Sequence, residues 1–221
     1  MNFAIAVGCA MGEEAVDFIA LNKQTEKLDL LFYTKDGLVK RTSASEYLVG
    51  KESFQAIKLK EGDQLIGVEF MKKDATLCFV TEQGMCLNAG MDDIPVQGRI
   101  SGGVKGVKLG DDDRLVCVKQ IESAGEVIVA TSTGAFKRVI SALLEPSVRY
   151  RKGVKICDLP VGGKIIFADF VQEPYKLIMR EQSGVYFSVD TEDIVIEPRT
   201  SKGKPLKEHK KAVITDVISE K

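Results

Sequence analysis

Few residues in this chain have types and spacings suited to catalysis. The sole histidine, His209, stands in Lys207-Glu-His-Lys-Lys211, a basic run rather than an apolar cleft, which leaves general acid-base chemistry without a centre. Asp111-Asp112-Asp113 is the one carboxylate cluster. It lacks the alternating spacing of a calcium loop and reads as a solvated acidic turn. The five cysteines, Cys9, Cys78, Cys86, Cys117 and Cys157, form no Cys-x-x-Cys pair, and four of them lie in alternating apolar runs. There a reduced thiol acts as a small core residue, as in a reducing cytosol. Ala6-Val7-Gly8-Cys9 has the look of a lipid-attachment box, but no basic segment precedes it and the apolar stretch before it is too short. Gly102-Gly103-Val-Lys105-Gly106 does not carry a strand into a helix as a nucleotide loop does. The residues thus give no reason to expect an enzyme, a metal or a cofactor.

Basic loops are the remaining candidates, and their chemistry is anion binding. Glycine lets backbone amides come close to an anion, and Arg and Lys neutralise phosphates without reading bases. Gly98 to Leu109 carries Arg99, Lys105 and Lys108 with no acid, and Ser147 to Ile156 carries Arg149, Arg151, Lys152 and Lys155 with none. These seven are the first candidates for phosphate contacts. Lys40 and Arg41, with Lys137 and Arg138, form a second pair of basic doublets. Arg199 to Lys211 is also basic, with six Lys and Arg against Glu208. The net charge of −1 is unusual for a nucleic-acid binder, but acids gather at turns while bases gather in these loops. A lone charge run is more often a solvated rim. Recurrence at one register points instead to a positive track.

A repeat positions these loops. Thr34-Lys-Asp-Gly37, Thr81-Glu-Gln-Gly84, Thr131-Ser-Thr-Gly134 and Glu181-Gln-Ser-Gly184 recur at steps of 47, 50 and 50 residues. Ten residues after each glycine stands a large apolar residue, Tyr47, Ile94, Leu144 or Ile194, and Leu65, Leu115 and Ile165 open apolar runs at steps of 50, with Val213 in the same role. Each glycine sits between two apolar runs, the signature of a tight hairpin. Ser43-Ala-Ser-Glu46 has capping-box spacing for a helical turn after the first hairpin. No long 3.6-period pattern occurs, and no apolar run approaches the roughly 18 residues of a membrane span. The period predicts one repeat domain over 1–221, all-β, built as a propeller-like ring of four-stranded blades. Its units fall at about 24–73, 74–123, 124–173 and 174–221. Residues 1–23 lack the hairpin but carry Ala15 to Ala20, which resembles a closing strand, so they count as a partial blade and make the number four or five.

Gly-Leu-Val-Lys-Arg-Thr (37–42), Glu-Gly-Asp-Gln-Leu-Ile-Gly-Val (61–68), Gly-Arg-Ile-Ser-Gly-Gly-Val-Lys-Gly-Val-Lys-Leu (98–109) and Gly-Ala-Phe-Lys-Arg-Val (134–139) resemble the blade repeats of the C-terminal domain of bacterial type IIA topoisomerase A subunits. The A subunits of DNA gyrase and of topoisomerase IV make up that family. The resemblance implies a β-pinwheel, whose blades exchange strands, that binds and bends double-stranded DNA without regard to sequence. It further implies partnership with the A subunit's catalytic core and with the ATPase B subunit, in the bacterial cytoplasm at the nucleoid, and no membrane. The family's catalytic tyrosine and DNA-cleaving domain have no counterpart here. Gln97-Gly98-Arg99-Ile-Ser-Gly102-Gly103-Val-Lys105-Gly106 departs from the gyrase box Gln-(Arg/Lys)-Arg-Gly-Gly-(Arg/Lys)-Gly, which favours topoisomerase IV. Leu87-Asn88 and Phe187-Ser188 replace the basic doublet in units two and four, which puts phosphate contact there in doubt. The competing reading is a protein-binding propeller of kelch or regulator-of-condensation type, with a period near 50 but an aromatic face. The absence of Trp counts against it.

Overall fold

The computed structural model of the chain describes residues 13–206, 209 and 212–220. Cys9 and its lipid-box stretch, together with Lys207, Glu208, Lys210 and Lys211, lie outside these. The first hairpin is β1 (Asp29–Thr34) and β2 (Leu38–Ser43), followed after a loop by β3 (Leu65–Phe70). The pattern returns as β4 (Thr76–Thr81), β5 (Met85–Ala89), the two-residue β6 (Val104–Lys105) and β7 (Leu115–Ile121). It returns again as β8 (Glu126–Thr131), β9 (Ala135–Ile140), β10 (Val154–Lys155) and β11 (Ile165–Val171). Last come β12 (Lys176–Glu181), β13 (Tyr186–Asp190), β14 (Lys204–Pro205) and β15 (Ile214–Glu220). No α-helix occurs among the described residues.

Thr-x-x-Gly is the turn written in sequence. Thr34, Thr81 and Thr131 are buried, and their hydroxyls accept the amides of Leu38, Met85 and Ala135 at 3.2, 3.2 and 3.0 Å. Their carbonyls accept the amides of Gly37, Gly84 and Gly134 at 3.0, 3.1 and 3.0 Å. The glycines hold φ of 82°, 82° and 78°, a region that side chains avoid. A short 3-10 turn, Ala44–Tyr47, follows the first hairpin, but the Ser43 side chain makes no cap bond to it. Its hydroxyl meets that of Ser45 at 2.8 Å instead.

Each of the first three hairpins is flanked on its first strand by the closing strand of the same repeat and on its second by a two-residue strand from the next repeat. The sheet orders are β3-β1-β2-β6, β10-β5-β4-β7 and β11-β8-β9-β14. Val154 pairs with Cys86 and Lys204 with Phe136. A glycine precedes each lent strand because the backbones nearly touch: a Cβ on Gly103 would lie 2.7 Å from the Val39 carbonyl, and one on Gly203 2.9 Å from that of Phe136. The fourth sheet, β13-β12-β15, has three strands among the described residues rather than the four expected.

The chain clusters into two compact units, Met1–Met71 with Ile94–Val104, and Lys72–Asp93 with Lys105–Lys221. In the first, Leu30, Phe32, Ala44, Tyr47 and Ile57 form the core. In the second, the two-residue period of β8 serves two cores: Val127 and Val129 join Cys78, Val80, Val139 and Leu144, while Ile128 and Ala130 join Phe136, Leu177, Met179 and Ile194. A strand buried on both faces reads as a continuous apolar run. Cys78, Cys86, Cys117 and Cys157 are buried as thiols rather than joined in a disulfide. Ala15 to Ala20 forms no strand, although Ile19 packs on the first unit's core. Asp17 in this stretch accepts the amide of Val68 at 3.2 Å through a carboxylate oxygen.

Candidate nucleic-acid interface

The candidate cations fall into three structural groups. Lys40 and Lys137, predicted to meet phosphate, are fully buried and do not reach the surface. The Lys40 ammonium donates to Tyr47 Oη at 3.0 Å, to the Ala56 carbonyl at 2.8 Å and to the Arg99 carbonyl. Lys137 donates to the carbonyls of Pro198, Arg199 and Ser201 at 3.0, 3.0 and 2.9 Å. Both ammoniums gather the backbone oxygens of a loop that would otherwise be buried without donors. Burial lowers the Lys40 pKa to about 8, with Arg99 adding to the effect and Glu46 opposing it. Burial also lowers that of Lys137, against Cys157, Glu197 and Asp158. At the same position Leu87 and Phe187 carry no charge. Phe187 stacks on His209 with ring centroids 3.6 Å apart, and His209 Nδ1 lies 2.9 Å from a Glu181 oxygen. The lone histidine is therefore engaged in packing.

The second group is occupied by internal pairing. Arg41 binds Asp29 at 2.6 Å and Arg138 binds Glu126 at 3.0 Å, each across its own hairpin. Arg138 also donates to the carbonyls of Ile194 and Glu192 at 2.7 and 3.0 Å. Arg99 and Arg149, with Arg199 that sequence reading left out of the candidates, act alike at steps of 50. Each donates to a carbonyl 44 positions earlier, that of Gln55, Lys105 or Lys155, at 2.6, 2.8 and 3.3 Å. Arg99 also lies over the Phe54 ring at 5.2 Å, and Arg149 pairs with Asp93 at 2.8 Å.

The third group faces solvent. The Lys108 amide donates to the Arg151 carbonyl at 3.0 Å, and the Tyr150 amide donates to the Gly106 carbonyl at 2.6 Å. Two segments some 45 residues apart in sequence are thereby laid side by side. This brings Lys105, Lys108, Arg149, Arg151 and Lys152 together on the second unit. Lys105, Lys108, Arg151 and Lys152 are exposed, and among the described residues the side chains of Lys108, Arg151 and Lys152 make no ion pair. The Lys105 ammonium donates to Tyr150 Oη at 3.1 Å and lies 4.8 Å from its ring centroid. This hydrogen bond and charge, with Lys108 beyond, lower the Tyr150 pKa. Lys155 is exposed but paired with Asp158 at 3.0 Å.

The same contact recurs in the first unit, where the Lys58 amide donates to the Ser101 carbonyl at 3.1 Å, and again where Asp158 donates to Ser201 at 3.0 Å. Lys58, Lys202 and Lys204 are exposed along these segments, and the sequence reading missed them. Counting steps of 50 from Lys108 and Lys152 was the signal for Lys58 and Lys202, while Lys204 lies in the basic run Arg199 to Lys211 and pairs with Glu197 at 3.3 Å. Of the acidic turn, Asp111 and Asp112 are exposed while Asp113 is buried, and it accepts the amide of Gln83 at 3.0 Å. Asp63 does the same for Asp36 at 2.9 Å. That part of the turn is a hairpin brace rather than a solvated charge, and among the described residues no group of acids, histidines or cysteines is arranged to hold a metal.

These features have counterparts in known proteins. The model of the DNA gyrase C-terminal domain, beta-propeller, matches residues 28–70, 75–121 and 125–172, together more than half of the chain. The DNA gyrase A subunit of Metamycoplasma arthritidis is 28% identical over 192 residues, covering 86% of this chain and 21% of that protein. The DNA topoisomerase 4 A subunit of Bacillus subtilis is 31% identical over 155 residues, covering 69% of this chain and 19% of that protein. The chain thus spans about a fifth of the length of these relatives. The crystal structure of the C-terminal domain of DNA topoisomerase IV superposes with a TM-score of 0.88 at 25% identity, over 98% of this chain and 69% of that one. The DNA gyrase A C-terminal domain gives 0.79 at 18% identity, over 99% and 74%. With three repeats matched in register and the all-β pinwheel architecture shared, this chain belongs to the family of DNA gyrase C-terminal domains, the β-propeller modules of type II topoisomerase A subunits.

Proposed function

We propose that this chain binds and bends double-stranded DNA irrespective of sequence, as a non-catalytic module working beside an A subunit's catalytic core and an ATPase B subunit in the bacterial cytoplasm at the nucleoid. One observation carries this reading: backbone hydrogen bonds between 106–108 and 150–151 assemble Lys105, Lys108, Arg151 and Lys152 into one exposed basic patch next to glycine. Exposed cations on a fixed backbone contact phosphates and leave base edges unread. Bending 20–30 base pairs costs on the order of 1–6 kcal/mol, so the patch must act with the equivalent loops rather than alone. A topoisomerase IV type of parent protein is favoured over gyrase. The altered glycine box supports this.

The test is a salt series of binding to a duplex of about 40 base pairs with a dye at each end. Tight binding at low salt that weakens steeply as salt rises, with the ends drawing together, is expected. The double variant Arg151→Glu with Lys152→Glu should weaken binding more than about tenfold for every sequence alike and flatten the salt slope by about 1–2. Absence of binding at low salt would overturn the reading in favour of a protein-binding propeller.

A further inference from the structure

Tyr150 combines features that a surface residue without a role does not need. It holds φ of 58°, left-handed backbone that bulky side chains rarely adopt, and its side chain is exposed. Contacts on every side lock it in that conformation. Its amide is held by the Gly106 carbonyl at 2.6 Å, the next carbonyl, that of Arg151, is held by the Lys108 amide at 3.0 Å, and the guanidinium of the preceding Arg149 is held by the Lys105 carbonyl at 2.8 Å. The equivalent residues one step of 50 away, Ile100 and Thr200, do not have positive φ. Their loops close by Ser101 to Gly98 and Ser201 to Pro198 hydrogen bonds, and Lys40 and Lys137 respectively bind their carbonyls. At the position of Lys40 and Lys137 this unit has Leu87, which offers no ammonium to the carbonyls of the Tyr150 loop, and the loop takes a different course. As a result, an aromatic ring is presented outward.

The ring stands among Lys105, Lys108, Arg151 and Lys152, with the Lys105 ammonium against its face at 4.8 Å. A polyanion held by those four cations brings its grooves over the ring. Between the phosphate walls of a duplex the surface is sugar and base edge, which an aromatic side chain fits and a charged one does not. Apolar side chains inserted at such a place loosen a base step and kink the helix.

We propose that Tyr150 is the wedge of this module: with phosphates held by Lys108, Arg151 and Lys152, its ring enters the minor groove and opens a base step, setting where the duplex bends. This rests on the DNA-binding reading above, and the experiment separates the two. The full chain and the variants Tyr150→Phe, Tyr150→Ala and Tyr150→Asn are compared on the doubly labelled duplex, reading affinity and end-to-end distance independently. Asparagine tolerates left-handed backbone, so Tyr150→Asn keeps the loop even if alanine disturbs it. The expected result is affinity within about threefold of the parent for all three, with Tyr150→Phe bending as the parent does and the other two losing at least half of the end-to-end shortening. Full bending by Tyr150→Asn, with binding lost in Arg151→Glu with Lys152→Glu, would remove the wedge and leave DNA binding intact. Equal loss of bending in Tyr150→Phe would also remove it, because the hydroxyl rather than the ring would then be responsible. A parent chain that fails to bind at low salt would remove both.

Discussion

An ammonium withdrawn from water is tolerated only where backbone oxygens replace the lost solvent, and Lys40 and Lys137 meet that condition with carbonyls from a loop about 60 residues away in sequence. Replacing Lys40 with methionine leaves the Ala56 and Arg99 carbonyls without this donor and should lower stability by about 1–3 kcal/mol in denaturant unfolding. The pH dependence carries a definite sign. With its pKa lowered to about 8 against the ordinary 10.5, the folded form loses its proton before the unfolded form does. Below pH 8 both forms hold the proton and the full burial cost is present; from about 8 to 10.5 stability rises, by up to about 3 kcal/mol. Tyr47, pushed up to about 12 by burial, contributes with the opposite sign above pH 10. Unfolding measured at pH 7.5 and 10 should therefore show a gain in the parent that is smaller in Lys40→Met, where Lys137, lowered in the same direction, still contributes. Sequence alone could not assign this role, because strand alternation tells core from solvent only when one face of a sheet is wet. β2 is covered on both, so Lys40 and Arg41 look alike as letters while one is sealed and the other is paired at the edge.

Hairpins and lent strands differ in how far their sequence announces them. Thr-x-x-Gly between apolar runs marks the first three turns and Glu181-Gln-Ser-Gly184 the fourth, and all four hairpins lie where these glycines put them. A two-residue strand has no alternation to read, so Val104–Lys105, Val154–Lys155 and Lys204–Pro205 were visible only as glycine-led basic stretches. Their glycines carry the physical trace of the exchange. Gly203→Ala combines a left-handed φ of 79° with a Cβ 2.9 Å from the Phe136 carbonyl. It should lift β14 from β9, cost about 2–4 kcal/mol and speed hydrogen exchange at the strand ends. Gly62→Ala has φ of 80° but nothing within 4 Å, so it should cost only about 1–2 kcal/mol. Equal effects of the two would mean that close approach plays no part in holding the lent strand.

Across the whole molecule the question is whether net charge or its placement governs affinity for an anion. The total of −1 predicts indifference to DNA, whereas the exposed patch on the second unit predicts attraction. Asp111→Asn with Asp112→Asn removes two exposed acids and reverses the sign of the net charge. Affinity for a 40-base-pair duplex should change by less than about threefold, far less than with Arg151→Glu and Lys152→Glu, because the acids make no phosphate contact of their own while the charge reversals remove two. A large gain would make the overall field decisive. The family was legible because a period near 50 and a turn motif survive at low identity. Which of eleven basic residues face outward was not, since that depends on carbonyls brought from another repeat.

Lys40 and Lys137 also set what an ionic titration reads. Each is a counterion that the chain carries on its own tether, occupying a carbonyl cage in place of an exchangeable ion. No rise in bulk electrolyte competes it away, since the cage is sealed and the charge is covalently attached. The loops carrying Arg99 and Arg199 should therefore keep their shape over the range of salt in which exposed cations would exchange a bound polyanion for dissolved anions. Under the proposed DNA binding, dissociation by salt would then report the outer contacts alone, against a framework whose internal electrostatics stay constant.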